Sequence, residues 1–249
     1  MDDNLYVDKY EVNYGAWLSY YSWTLKNYGE KKASKILPDS SLIDPLIWSL
    51  FENHSTDFNT QPSFITRKPI GYFNSKIFDS IKNSKKDYPD IKFNDILWYP
   101  VTGITFEQAN DFCIWRTKVI GGDSIVYRLP SEKEWENIAI KIINDINQQK
   151  GVKDSVRHSL CRIFNYKITK PCDCRNSKPI AELEPGGRFR VNKIKIFDFF
   201  GNAAEMTSIK GIAKGGSYLH YASQSCPDSR QIYEEPEKWL GFRCVAEKK

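Results

Sequence analysis

The sequence predicts an α+β fold with little regular secondary structure, and three observations predict it. Helical periodicity is confined to the chain before Gln149, short extended runs separated by Gly, Pro and Asn follow it, and no Pro/Gly/Ser-rich linker divides the two. For 249 residues, that pattern argues for a single domain over 1–249 with an irregular insertion at about 36–98.

The helices come first in the chain. Asn13 is a good N-cap for a helix that carries Trp17, Tyr20, Tyr21, Thr24 and Tyr28 on one face. Thr105 and Gln108 form a capping box for a second, which runs through Ala109, Phe112, Cys113 and Trp115 to a stop at Gly121-Gly122. Ser131 and Glu134 form another just after Pro130, ahead of Trp135, Ile138, Ala139, Ile142, Ile143 and Ile146 at helical spacing. Between the first two, residues 36–98 are broken by Pro38, Pro45, Pro62, Pro69 and Pro89 and rich in Asn, Ser and Asp, which predicts loop with short strands at best. Residues 193–200, 211–219 and 242–246 read as the late strands.

Composition narrows the function classes. Hydrophobic residues make up 41% and aromatics 14%, enough bulky side chain for a core. The balance of 36 Lys+Arg against 31 Asp+Glu gives a net charge of +5, and the basic residues are scattered; the loose clusters at 157–178 and 188–195 read as solvated loop, so nucleic acid is not an expected partner. No stretch approaches the roughly 20 apolar residues of a transmembrane helix. The opening Met1-Asp2-Asp3-Asn4 does not form a signal peptide. Six cysteines (Cys113, Cys161, Cys172, Cys174, Cys226 and Cys244) are an even number, which suits an oxidising compartment without fixing any pairing. The C-x-C of Cys172 and Cys174 is a poor zinc pattern; a bridge from Cys226 to one of the 161–174 cysteines is the better reading. With no Ser-His-Asp order, phosphate-cradling glycine loop or H-E-x-x-H, ordinary hydrolases and nucleotide enzymes have no support.

Six blocks carry a family resemblance. They are Tyr6-Val7-Asp8-Lys9-Tyr10-Glu11-Val12; Tyr99-Pro100-Val101-Thr102-Gly103-Ile104-Thr105 with Gln108-Ala109 and Phe112-Cys113-Ile114-Trp115; Tyr127-Arg128-Leu129-Pro130-Ser131-Glu132-Lys133-Glu134-Trp135-Glu136; Ile196-Phe197-Asp198-Phe199-Phe200-Gly201-Asn202-Ala203-Ala204-Glu205; Lys214-Gly215-Gly216-Ser217-Tyr218; and Gly241-Phe242-Arg243-Cys244. In this order they resemble the formylglycine-generating enzyme (sulfatase-modifying factor) family, the third block most specifically. The family's "GtfxMG" strand before the first block and its "PWG" turn after the third helix are absent. Leu37-Pro38-Asp39-Ser40 and the stretch from Tyr99 through Thr117 are similar in wording to the gliding-motility and type IX secretion lipoproteins of Bacteroidetes.

The resemblance implies a formylglycine-generating-enzyme-like fold of the C-type-lectin type. It implies a disulfide between Cys113 and Cys244. It places the family's two Cu(I)-binding cysteines at His220 and Ser225, with Cys226 one position away; an imidazole and a hydroxyl do not replace two thiolates, so copper is not expected and no catalytic residue is assigned. Asn202 and Glu205 match positions that help hold structural calcium in the family, and a carboxylate with an amide oxygen beside a glycine turn is calcium chemistry. Asp198 reads instead as orienting that turn, and Arg128, Glu134 and Trp135 as a structural node. The related iron-dependent sulfoxide synthases need more histidines than His54, His158 and His220.

The expected function is therefore a non-catalytic binding or scaffold protein, exported to the periplasm, outer membrane or cell surface of a bacterium; the resemblance leaves room for a lipid anchor upstream of this numbering without requiring one. Its partner is a protein of an envelope complex, contacted through Trp48, Tyr72 and Trp98 of the aromatic insertion. The alternatives are a copper-dependent oxidase that converts a client cysteine to formylglycine, and a calcium-dependent glycan-binding lectin. For the lectin, Glu235-Pro236-Glu237 only approximates the sugar-reading triplet.

Overall fold

In a computed structural model, residues 5–52, 96–148, 164–167, 182–187 and 194–248 are described. Strand β1 (Leu5–Val7) is followed by helices α1 (Tyr14–Tyr28), α2 (Glu30–Ala33) and α3 (Pro45–Glu52), then α4 (Phe106–Arg116), β2 (Ile125–Arg128) and α5 (Glu132–Gln148). The C-terminal part holds β3 (Ala204–Met206), β4 (Ile212–Lys214), β5 (Gln231–Ile232), β6 (Leu240–Gly241) and β7 (Val245–Lys248). Two small sheets result: one in the order β1-β7-β2, all antiparallel, and one in the order β5-β4-β3-β6, where β3 and β6 run parallel. The first sheet ties the two ends of the described chain together.

All three expected helices form, each for the local reason the sequence supplies. The Asn13 side chain accepts a hydrogen bond from the Ala16 N–H at 2.9 Å, satisfying one of the orphan donors of α1. In α4 the capping box is complete: Gln108 N donates to Thr105 Oγ1 at 3.1 Å and Thr105 N to Gln108 Oε1 at 2.8 Å. The helix then loosens into a π turn over Thr117–Gly121 and stops at Gly122, whose φ of 56° suits glycine. At the start of α5, Glu134 N donates to Ser131 Oγ at 3.2 Å and Ser131 N returns to Glu134 Oε2 at 2.8 Å.

Several expectations are corrected. The insertion opens with a helix, α3, and not with strands; Pro45 takes the first helical position, where its missing N–H costs nothing, and the Asp44 carboxylate accepts from Leu46 N at 2.7 Å. Tyr28 lies off the buried face of α1, 54% exposed, because the helix ends there at Gly29. Residues 194–200 form no strand: Lys195 and Asp198 have positive φ (65° and 52°), which breaks an extended run. Only three residues of 211–219 are in a strand.

Among the described residues, two apolar clusters form the interior. The larger joins α1, α3 and α4 to the last strands, with Trp17 stacked on Phe112 at 5.5 Å and both edge-on to Phe242 at 6.1 and 5.5 Å. The smaller lies under α5, where Trp135 stacks on Phe199 at 4.5 Å beside Ile138, Ile142 and Phe200. The node read from the third block bridges α5 to the first sheet. Arg128 holds Glu134 through two hydrogen bonds of 2.8 and 2.7 Å and also reaches Glu247.

Candidate functional site

The positions to which the resemblance assigns metal chemistry lie on one turn, residues 215–226. Strand β4 delivers the chain to Gly215 and Gly216, both with positive φ (88° and 66°). Gly216 is required by space as well as by torsion, since a Cβ there would stand 1.9 Å from Ser225 Oγ. The Gly216 N–H donates to Gln231 Oε1 at 2.9 Å, and Gln231 in turn donates to the Gln224 carbonyl, so β5 staples the two ends of the turn together.

His220 is half-buried within this turn. Its Nδ1 pairs with Ser217 Oγ at 2.7 Å, and its ring stands edge-on to Trp239 at 4.8 Å. Burial, with Lys167 nearby, pulls the imidazole pKa below the ordinary 6.5. Ser225 is 2% exposed and donates to the Tyr221 carbonyl at 3.2 Å. Cys226 is exposed, its sulfur 3.7 Å from the Ser223 carbonyl oxygen. A Cu(I) ion held by two thiolates does not fit this turn: the hydroxyl is turned inward, one imidazole nitrogen is taken, and one sulfur stands alone.

Beside the turn lies a cavity of about 410 Å³, lined by Tyr14, Ile43, Leu46, Tyr99, Tyr218 and Lys238 among others. Tyr14 forms part of its floor, with its hydroxyl against Thr102, and burial pushes that hydroxyl up to about 12. The cavity joins the first part of the insertion to the His220 turn, and its size falls within the range of small-ligand sites.

Asn202 and Glu205, the candidate calcium ligands, are both fully buried in a polar network. Glu205 accepts from Arg243 Nε and from Trp135 Nε1, both at 2.9 Å. Asn202 Oδ1 accepts from Glu184 N at 2.9 Å and Asn165 Nδ2 at 3.2 Å, while its Nδ2 donates to Glu11 at 3.0 Å. Two donors fill the amide oxygen, and a guanidinium already stands against the carboxylate, so these side chains do not fit a bound calcium ion. Among the described residues no cluster of three His, Cys, Asp or Glu side chains is arranged to hold a metal. Asp198 accepts from Gly187 N and so pins a neighbouring loop. Glu11 belongs to the same network; burial first, and then the Asp198 charge, push its carboxyl well above the usual carboxylate range. Sequence reasoning missed Glu11 and Arg243 as partners here, although both stand inside the first and last family blocks.

Cys113 and Cys244 are brought together. Both are buried thiols with sulfurs 3.5 Å apart, in contact and longer than the ~2.05 Å of a bond. Hydrogen bonding to Cys244, then burial, hold the Cys113 thiol well above its ordinary pKa. Of the expected contact aromatics, Trp48 stands half-buried on α3 and donates to Glu52 at 2.6 Å. Trp98 is half-buried edge-on to Tyr10 at 5.6 Å. Tyr72 lies outside the described residues, as do Cys161, Cys172 and Cys174.

The profile of the sulfatase-modifying factor enzyme 1-like domain matches residues 3–248. The chain belongs to the sulfatase-modifying factor family. Three solved structures similar to this sulfatase-modifying-factor chain are PvdO from Pseudomonas aeruginosa, CarF and Treponema denticola variable protein 1. PvdO has a TM-score of 0.45 and 16% identity, over 67% of this chain and 76% of that one. CarF has 0.43 and 16%, over 61% and 69%. The Treponema denticola protein has 0.45 and 18%, over 61% and 72%. No curated protein sequence matches. Among the described residues of this family member, no helix is long and apolar enough to cross a membrane.

Proposed function

We propose that this chain is a non-catalytic sulfatase-modifying-factor-like protein that serves as a binding or scaffold component of a bacterial cell-envelope complex, after export to the periplasm or outer membrane. The observation that carries this reading is the chemistry of the 215–226 turn: the positions that would present two sulfurs to a soft metal hold His220, paired with Ser217, and Ser225, buried against the Tyr221 carbonyl. On this reading the turn keeps its Gly215-Gly216 geometry while the groups at 220 and 225 no longer suit a soft metal. The adjoining cavity supports a binding role, because it lies where the insertion meets the turn. The wording shared with secretion and gliding lipoproteins supports the envelope setting.

Two measurements test the reading separately. The purified chain, reduced and offered Cu(I) and a cysteine-containing peptide, is expected to take up no stoichiometric copper and to form no formylglycine; one copper per chain with turnover would overturn the non-catalytic half. Solubilised gently from its native envelope, the chain is expected to migrate in a stable assembly of defined composition. Repeated isolation as a lone monomer would overturn the scaffold half.

A further inference from the structure

The three-stranded sheet carries a second recess that neither the fold nor the proposed function uses. Tyr6, Ala246 and Tyr127 are register partners across β1, β7 and β2, and so share one face. On the middle strand Ala246 contributes only a methyl group, while a phenol ring rises from the strand on either side. The result is a trough of about 370 Å³ with an apolar floor and aromatic walls. Tyr6 is 48% exposed, a large ring that the core does not employ.

The polar groups of the trough are unequal in sign. Arg116, from the last turn of α4, closes one end: it is 7% exposed, its guanidinium lies 4.2 Å from the centre of the Tyr127 ring, and it holds Asp8 through both terminal nitrogens. Its Nε is buried without a partner. The Lys248 ammonium lies 5.5 Å from the centre of the Tyr6 ring. Glu247, next to Lys248, alternates onto the opposite face, where Arg128 takes it. Among the described residues, two cations and one carboxylate therefore line the recess. Asp8 already answers Arg116, which leaves Lys248 as the charge with no counter-ion among the described residues of this face.

We propose that this recess is a binding site for a small aryl carboxylate. The flat ring of the ligand lies over Ala246 between Tyr6 and Tyr127, where stacking favours a π-face, and its carboxylate meets Lys248. The same charges disfavour an aromatic amine, which would meet the Lys248 ammonium. This proposal does not depend on whether the 215–226 turn is catalytic.

The test uses the full chain with phenylacetate as the probe, followed by ligand-observed NMR and by titration, with phenylacetamide as the uncharged comparison. Phenylacetate is expected to bind at about 1 mM or tighter, and phenylacetamide about fivefold more weakly or worse. Ala246→Trp fills the trough and is expected to abolish binding. Should that variant fail to fold, Lys248→Glu, a surface change, is expected to weaken phenylacetate about fivefold or more. Absence of binding at about 10 mM by folded wild-type chain, well beyond the expected range, would overturn the site. Equal binding of the acid and the amide, or full affinity in Lys248→Glu, would overturn the assignment of an anionic ligand.

Discussion

At Gly216 a backbone torsion and a contact act on one atom. Its φ of 66° disfavours any side chain, and the Ser225 hydroxyl occupies the place of a Cβ. Gly216→Ala is expected to destabilise the chain by about 3 kcal/mol in urea unfolding. Adding Ser225→Gly removes the contact but not the torsional strain, so the double variant is expected to recover about 1 kcal/mol or more, the signature of coupled neighbours. Equal stability of the single and double variants would show that the torsion alone matters. His220 makes a pH prediction on the same turn. Its folded pKa lies below the unfolded 6.5, because burial and Lys167 disfavour the imidazolium. In the window between the two values the unfolded chain binds more protons, so stability is fully present above about pH 6.5 and falls as the pH drops through that window. His220→Gln is expected to flatten this slope between pH 7 and the folded value, read as the urea midpoint against pH. The Gly-Gly-Ser-Tyr block made the turn legible in the sequence. Trp239 as the wall of His220 was not, because that contact is made by tertiary packing and leaves no local pattern.

Among the elements, α4 and α5 were legible down to their first residues because a capping box is written within four positions. Thr105→Ala is expected to cost about 1 kcal/mol. Gln108→Ala is expected to cost more, about 2 kcal/mol, since the same amide also donates to the Lys35 and Leu37 carbonyls at 2.9 and 3.1 Å and so ties α4 to the chain where the insertion begins. Thermal or urea midpoints for the two variants would check the order; a cheaper Gln108 substitution would mean that the long-range bonds contribute nothing. In α5 the hydrogen bonds from Arg128, with those from Ser131, hold the Glu134 carboxyl down at about 2. Its folded pKa is below the unfolded 4.5, so this contribution is fully present above about pH 4.5 and is lost as the pH falls toward 2. Glu134→Gln is expected to lower stability at pH 7 and to leave a shallower acid limb below pH 4.5. Helix α3 was not legible, because its prolines and polar neighbours read as loop; what decides it is a buried face of Leu46, Ile47, Leu50 and Phe51 that only the assembled core rewards.

Over the whole molecule, the chain closes on itself at three levels. The ends pair as β1 and β7, Arg243 near the C-terminus reaches the Asp8 and Phe197 carbonyls at 2.9 and 2.8 Å, and Cys244 meets Cys113. The family blocks at the two ends were legible as sequence. The buried network they form was less so: Asn202 and Glu205 read as oxygen donors for a cation, and nothing local shows that Arg243, 38 positions further on, supplies the cation instead. The thiol pair carries the largest stability consequence. The two cysteines are 131 positions apart, and their side chains already touch in the folded chain, so a bond between them would need only a small approach of the two sulfurs. Closing that loop restricts the unfolded ensemble and leaves the fold in place, which the chain-entropy relation values at roughly 5 kcal/mol. Chain folded under oxidising conditions is therefore expected to show no free thiol at Cys113 or Cys244 on alkylation and mass mapping, and to unfold at a higher denaturant concentration than the same chain kept reduced. Cys113→Ala with Cys244→Ala is expected to match the reduced chain within about 1 kcal/mol, the scale of packing lost with two small side chains, and to lose all dependence on reductant. A double variant that remains reductant-sensitive would assign the effect to other cysteines; identical oxidised and reduced midpoints in the native chain would show that the pair stays as two packed thiols, too buried and too high in pKa to react.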